Sequence, residues 1–294
     1  LFKNKDVYWA RILGTLFANI GSCIYVCFFI KIQIPNLQYI KKGILLGAPL
    51  LVHSVATQIL VQTDKVAISH LSSYAAVGIY TAAASIVVIP MTILTSIESS
   101  WSPWFFESLS RAKYKEIKKK NTEILLLFAA GLVLFILGSP EVVRFMTDSD
   151  YWDAIYVLIP LTTAAFAEMI YIIPLNLELY YKKSKAIWIY TSMVVVINVA
   201  FDVLFISMFG YQMAAYVTCF ARILLFLLHY IRAKRIDHHE IMDLKVVLLS
   251  LVGLLAVDRA TVFFIHCWPI RWCVIVITAG LIGVYLIYQY KNSK

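Results

Sequence analysis

Apolar residues fill this chain in long runs, and charges fall mostly between the runs. Residues 12–30 carry no charge between Arg11 and Lys31, and residues 43–63 none between Lys42 and Asp64. The charge-free run 66–97 is longer than one span. The polar stretch Ser69-His70-Leu71-Ser72-Ser73 divides it, so the next helix starts near Ala75. Further apolar runs follow at 124–140, 154–173, 186–206, 213–231, 246–265 and 272–290. A helix needs about 20 apolar residues to cross the hydrocarbon core. The pattern therefore predicts nine transmembrane helices and an all-α, polytopic membrane protein.

Composition agrees. The 294 residues are 61% hydrophobic and 15% charged, with a mean hydropathy of +0.80. A soluble domain is about 45–50% apolar and about 25% charged. These values exclude a water-soluble globular protein, a disordered chain and a secreted disulfide scaffold. The net charge of +9 would suggest nucleic acid in a soluble protein. In a membrane protein it reads first as topology, because cytoplasmic loops collect Lys and Arg. If nine helices alternate, 18 of the 26 basic residues share one side. They lie in loops 31–43, 98–121 and 174–185, in segment 232–245, and in the tail. Lys3, Lys5, Arg11, Arg144 and Arg271 lie opposite. The positive-inside rule then puts the C-terminus in the cytoplasm and Leu1 outside. The chain begins at Leu1 without a signal peptide, so this orientation predicts either an odd number of helices upstream or a first helix that is not a span.

The same pattern makes two local predictions. The outer loop 139–153 is acidic, with Glu141, Asp148, Asp150 and Asp153 against Arg144. The inner loop 98–121 reads as an amphipathic surface helix, with Trp101, Trp104, Phe105 and Phe106 at the headgroup level and a Lys run facing anionic lipid. Of the five cysteines, Cys23 and Cys27 are helix-packing residues. Cys267 and Cys273 flank a short loop where a disulfide could form, and Cys219 lies in an apolar run. No spacing of metal ligands occurs, and no cofactor is expected.

Ionisable residues inside a membrane mark functional sites. His53 is mid-span, Glu168 lies two-thirds along its helix, Asp202 is near an outer end, and Arg222 is about 14 Å from its own outer end. Glu168 and Arg222 fall at overlapping depths, which predicts an ion pair or a shared polar cavity. A guanidinium there also suits a diphosphate. Asp64 and Lys65 read as interface markers at a helix end or as gating residues, and Asp258 and Arg259 as snorkelling residues near the outer surface. Pro49, Pro90, Pro160 and Pro174 lie in or at the ends of spans, where broken helices often line transporter pathways.

Two stretches carry a family resemblance. The first is Ala48-Pro49-Leu50-Leu51, Gln62-Thr63-Asp64-Lys65, then Ala76-Val77-Gly78-Ile79-Tyr80-Thr81-Ala82-Ala83. The second is Tyr181-Lys182-Lys183-Ser184, Asn198-Val199-Ala200-Phe201-Asp202, then Phe209-Gly210-Tyr211-Gln212-Met213-Ala214-Ala215-Tyr216-Val217-Thr218. In order and spacing they resemble the Wzx-type O-antigen and exopolysaccharide flippases, relatives of the lipid II flippases and the multidrug and toxin extruders. The chain departs from that pattern at Lys65 (usually Arg), Asp202 (usually Asn), Met208 (commonly Pro) and Met213 (commonly Gly).

The resemblance implies a 14-helix, two-lobed fold of which this chain holds the second half. Residues 1–43 would be the last helix of a missing first lobe with a linker, 44–235 the six-helix second lobe, and 236–294 two appended helices and a cytoplasmic tail. Five helices would be missing, an odd number, as the loop charges independently require. The implied function is translocation of undecaprenyl-diphosphate-linked oligosaccharide across the bacterial cytoplasmic membrane for surface polysaccharide synthesis. The partners would be that lipid, the surrounding membrane lipids and a proton or sodium ion, not nucleic acid. His53, Glu168 and Asp202 are the coupling candidates, and the appended helices would form a groove for the polyprenyl tail. Two other readings stay open: a cation-coupled multidrug extruder of the same superfamily, and a membrane polysaccharide polymerase or acyltransferase. The second lacks the large outer loop of such polymerases and any catalytic constellation.

Overall fold

The computed structural model describes residues 4–29, 36–183 and 186–292. Lys3, Lys31, Lys185 and Lys294 of the basic residues above, and Ser184 of the second motif, lie outside them. The chain divides into two units, residues 1–47 and 48–294. The first holds α1 (Asn4–Phe29) and the opening turns of α2 (Leu37–Leu71). On α1, Trp9, Phe17, Tyr25 and Phe28 are exposed.

The second unit holds the rest of α2, then α3 (Tyr74–Ser110), α4 (Tyr114–Met146), α5 (Ala154–Tyr180), α6 (Ile187–Phe209), α7 (Met213–Ile236), α8 (Leu244–Phe263) and α9 (Trp268–Asn292). A single 3-10 turn, Ser149–Tyr151, precedes α5. Helices α3 to α8 are each long and apolar enough to cross a membrane. The protein is an all-α, multi-pass membrane protein. Its exposed apolar residues, such as Val196, Leu249, Val252 and Phe263, face the lipid that serves as solvent.

Helix α5 is the centre of the second unit. It is apolar all round, and a helix of that kind is buried. Nearly every residue from Ala154 to Glu178 is covered, by α7, α3, α4 and α8. Small residues let the backbones approach: Thr162, Thr163, Ala164, Ala165 and Ala167 on α5, and Ala214, Ala215 and Ala221 on α7. Helix α6 packs on α7, and α4 packs on α8 and α9.

Several expectations are corrected. The segment 98–121 is not a surface helix. Helix α3 runs unbroken to Ser110, and only residues 111–113 separate it from α4. Trp101 and Phe105 are one turn apart, stack at 4.5 Å and are buried. The Trp101 indole donates to Asn121 Oδ1 at 2.8 Å, and Asn121 Nδ2 donates to the Ile241 carbonyl at 2.7 Å. The aromatic face therefore packs inward, while the Lys run opens α4. The turn closes as a Schellman motif: Ala112 has φ 53°, its N–H reaches the Leu109 carbonyl, and Lys113 N–H reaches Ser108. Helix α5 ends the same way at Lys182, φ 55°.

The connection expected at 139–153 is also shorter, because α4 continues to Met146. Cys267 and Cys273 are both free and exposed. Asp64 is not at a helix end, since α2 continues seven residues further to Leu71. Asp258 does not snorkel: it is buried and accepts from Thr163 Oγ1 of α5 at 2.8 Å.

Two polar joints fix the ends of the bundle. Asp237, just after α7, accepts from Tyr181 (2.6 Å), Tyr114 (3.2 Å) and the His239 backbone (3.0 Å). Burial opposes its charge, but these donors outweigh burial and hold the carboxyl below its ordinary range. At the other end, Arg271 of α9 is 2% exposed and forks onto Glu141 of α4 at 2.5 and 2.8 Å, with a further bond to the Leu137 carbonyl. Truncating one partner of a buried pair costs about 3–5 kcal/mol, and the partial exposure of Glu141 places this one at the low end. Arg271→Ala is therefore expected to cost about 3 kcal/mol and to expose the start of α9 to protease. Unchanged melting and unchanged cleavage would contradict the joint.

Candidate functional site

The membrane interior of the second unit holds a layered set of polar side chains. The first layer joins α2, α3, α6 and α7. Asp64 is 2% exposed and Asp202 is 0% exposed, and their carboxyls meet. Each lies seven residues before the end of its helix, about 10 Å along the axis. Tyr80 and Thr218, from the openings of α3 and α7, both donate to Asp64 Oδ2, Thr218 at 2.6 Å. Asn198, one turn before Asp202 on α6, accepts from Thr63 Oγ1 at 3.1 Å.

This layer is incompletely satisfied. Asp64 Oδ1, both oxygens of Asp202 and Asn198 Nδ2 are buried without a hydrogen-bond partner. Unpaired buried polar atoms are costly and rare. Two carboxylates in contact repel unless a proton or a cation sits between them. The cluster therefore has the chemistry of a small-cation or proton site. Among the described residues, no group of three or more His, Cys, Asp or Glu side chains could hold a metal ion.

One turn deeper, Arg222 of α7 pairs with Glu168 of α5. Both line a cavity of about 210 Å³ that also borders Asp64, Lys65, Tyr80 and Thr218. His53 of α2 lies below. Its Nδ1 is 2.8 Å from Thr191 Oγ1, which gives its own hydrogen to the Ile187 carbonyl. Thr191 therefore accepts, the His53 proton is on Nδ1, and Nε2 faces the Tyr171 hydroxyl at 3.4 Å. Toward the other end of α5 and α7, Glu178 of α5, fully buried, meets His229 Nδ1 at 2.7 Å and Arg232 Nε at 3.1 Å.

Of the residues named from the sequence, Asp64, Tyr80, Asn198 and Asp202 come together, as do Glu168 and Arg222. Lys65 borders the shared cavity. Pro49 is inside α2, away from the cluster's hydrogen bonds. Gly78 faces the Tyr151 ring, 3.5 Å from where a Cβ would be. Gly210 caps α6 at φ 90°, a conformation that needs glycine, and so aims the α6–α7 turn. Thr218, Thr63, Glu178 and His229 had no named role.

Residues 3–109 match a protein family described as polysaccharide biosynthesis protein. The structure is similar to a solved structure, "Lipid II flippase MurJ, inward closed conformation", with a TM-score of 0.63 and 17% identity. The match covers 92% of this chain and 59% of that one, so the chain spans under two thirds of its neighbour's length. A comparison with curated protein sequences gives no match. The structural likeness shows the fold alone, a multi-pass helical bundle similar to that solved structure, and the family likeness is confined to residues 3–109.

Proposed function

We propose that this chain is the second lobe, with two appended helices, of a flippase that moves undecaprenyl-diphosphate-linked oligosaccharide to the outer leaflet of the bacterial cytoplasmic membrane. Its C-terminus is cytoplasmic, and a first lobe completes the central pathway. Asp64 and Asp202 hold the coupling ion, a proton or sodium. The observation that carries this reading is that Asp64 and Asp202 are buried, interacting carboxyls on α2 and α6, and that Asp202 receives no hydrogen from any other side chain among the described residues.

The intralobe cavity is too small for an oligosaccharide. At about 210 Å³ it is below the roughly 300–1,000 Å³ of small-molecule sites. Glu168, Arg222, His53 and Asp202 therefore act on the posture of the lobe, and sugar passes elsewhere. An ion bridging Asp64 and Asp202 ties α2 to α6, and its release lets one lobe rock against the other.

The test is export of lipid-linked oligosaccharide in cells that depend on this transporter. Collapsing the sodium and proton gradients together is expected to stop delivery to the outer leaflet. Undiminished delivery would refute coupling. Expulsion of small cationic compounds, with no movement of lipid-linked sugar, would instead favour the multidrug extruder.

A further inference from the structure

The Arg222–Glu168 pair has a feature that a structural ion pair does not need. Among the described residues, the guanidinium makes one hydrogen bond, Nη1 to Glu168. Arginine carries five N–H donors. Its side chain is 10% exposed and that of Glu168 15%, and both open into the cavity that borders Asp64. Asp64 also borders that cavity, and its buried Oδ1 has no donor. Arg222 is also one turn from Thr218, which already donates to Asp64 from the same face of α7. Arg222, Glu168 and Asp64 thus border one small space, and Asp64 in turn neighbours Asp202.

We propose that Arg222 is a built-in counter-ion that exchanges between Glu168 and the Asp64–Asp202 pair. With an ion bound between the carboxyls, Arg222 rests on Glu168. When the ion leaves, the guanidinium turns to Asp64 and neutralises the vacated site, so the empty carrier can rearrange without two bare carboxylates in the membrane. A resident cation of this kind competes with the mobile one, which weakens ion binding and speeds release. The inference rests on the coupling reading above. The charged and titratable groups around the exchange are His53, Asp64 and Lys65 on α2, Tyr80 and Glu98 on α3, Glu168 and Tyr171 on α5, Asp202 on α6, and His229 on α7.

The test measures binding midpoints for sodium and for protons on the purified full chain. The readout is the infrared carboxyl bands and the sodium-dependent rise in melting temperature, with choline chloride as the control. Arg222→Gln is expected to tighten ion binding about tenfold, and Glu168→Gln to weaken it about tenfold by releasing Arg222 onto Asp64. In Glu168→Gln/Arg222→Gln the effect of the Glu168 change should vanish, leaving the midpoint of Arg222→Gln alone. That double variant also leaves no unpaired buried charge, so it reports even if Arg222→Gln folds poorly. Additive shifts would mean that the two charges act only through space and would overturn the exchange. An unmoved midpoint in Arg222→Gln would do the same. A native chain that responds to neither ion, or responds equally after Asp64→Asn and Asp202→Asn, would overturn the coupling reading with it.

Discussion

Asp202→Asn, which places here the residue usual in the resembling flippases, removes the second carboxyl of this chain's pair and is expected to cut export sharply while leaving the protein at least as stable as the native chain. The native carboxyl is fully buried, and neither oxygen has a donor. Uncompensated buried carboxylates are costly, and replacing one by its amide removes the charge at constant shape. The new amide can donate to Asp64, whose Oδ1 has no partner in the native chain. Folding therefore keeps a hydrogen bond to Asp64 that no longer depends on a proton or cation held between two carboxyls. Ion binding loses the second negative charge, and with it the tie between α2 and α6. A coupling free energy of about 3 kcal/mol corresponds to roughly a 150-fold loss of transport. Export and melting temperature measured on the same preparation check both halves. Export at the native rate would sink the assignment, and a large loss of stability would show that Asp202 is structural. Asp64→Asn should be equally inactive but less stable than Asp202→Asn, because Asp64 Oδ2 already receives Tyr80 and Thr218.

This asymmetry was only partly legible in the sequence. Among the described residues the helices follow the charge-free runs in order, because an unpaired charge is expensive in lipid, and six of the nine expected spans are long and apolar enough to cross a membrane. Their ends could not be read from those runs. Helices continue beyond the hydrocarbon, so the Lys-rich opening of α4 and the aromatic end of α3 looked like a loop. Trp101 and Phe105, at i and i+4, carried the signal of an inward face. Glu168 and Arg222 stood out because each is an isolated charge in an apolar run. Asp64 was disguised by Lys65, which made the pair resemble a helix end. Its helical phase pointed inward: Leu60, Asp64 and Ile68 form one buried stripe at four-residue spacing, as do Val194, Asn198, Asp202 and Ile206. That two such stripes face each other is a fact of tertiary packing, beyond the reach of periodicity in either helix.

Glu178 was hidden by a different effect. Pro174 suggested the end of a span, yet α5 passes through it to Tyr180. A membrane helix tolerates proline where neighbours satisfy the freed backbone groups. Glu178 thus remains inside the bundle, fully buried, and holds His229 and Arg232 of α7. Helices α5 and α7 form the most extensive packing in the unit, so their polar joint bears on the whole lobe. Glu178→Ala leaves the Arg232 charge and the His229 ring without an acceptor. His229 has no alternative, because its Nε2 is already unpartnered and the edges of Tyr171 and Tyr190 flank the ring. Breaking a buried pair in this way costs about 3–5 kcal/mol, which corresponds to a fall in melting temperature on the order of 10 °C. Glu178→Gln keeps the shape and can still accept one bond, so it should lose roughly half as much. Arg232→Ala should lose least, since that side chain is 28% exposed and water can replace it. Thermal melts of the detergent-purified protein are expected to rank Glu178→Ala as the most damaging change, Glu178→Gln as intermediate and Arg232→Ala as the mildest. A Glu178→Ala melt within about 2 °C of native would mean that the α5–α7 interface is held by its small-residue packing alone.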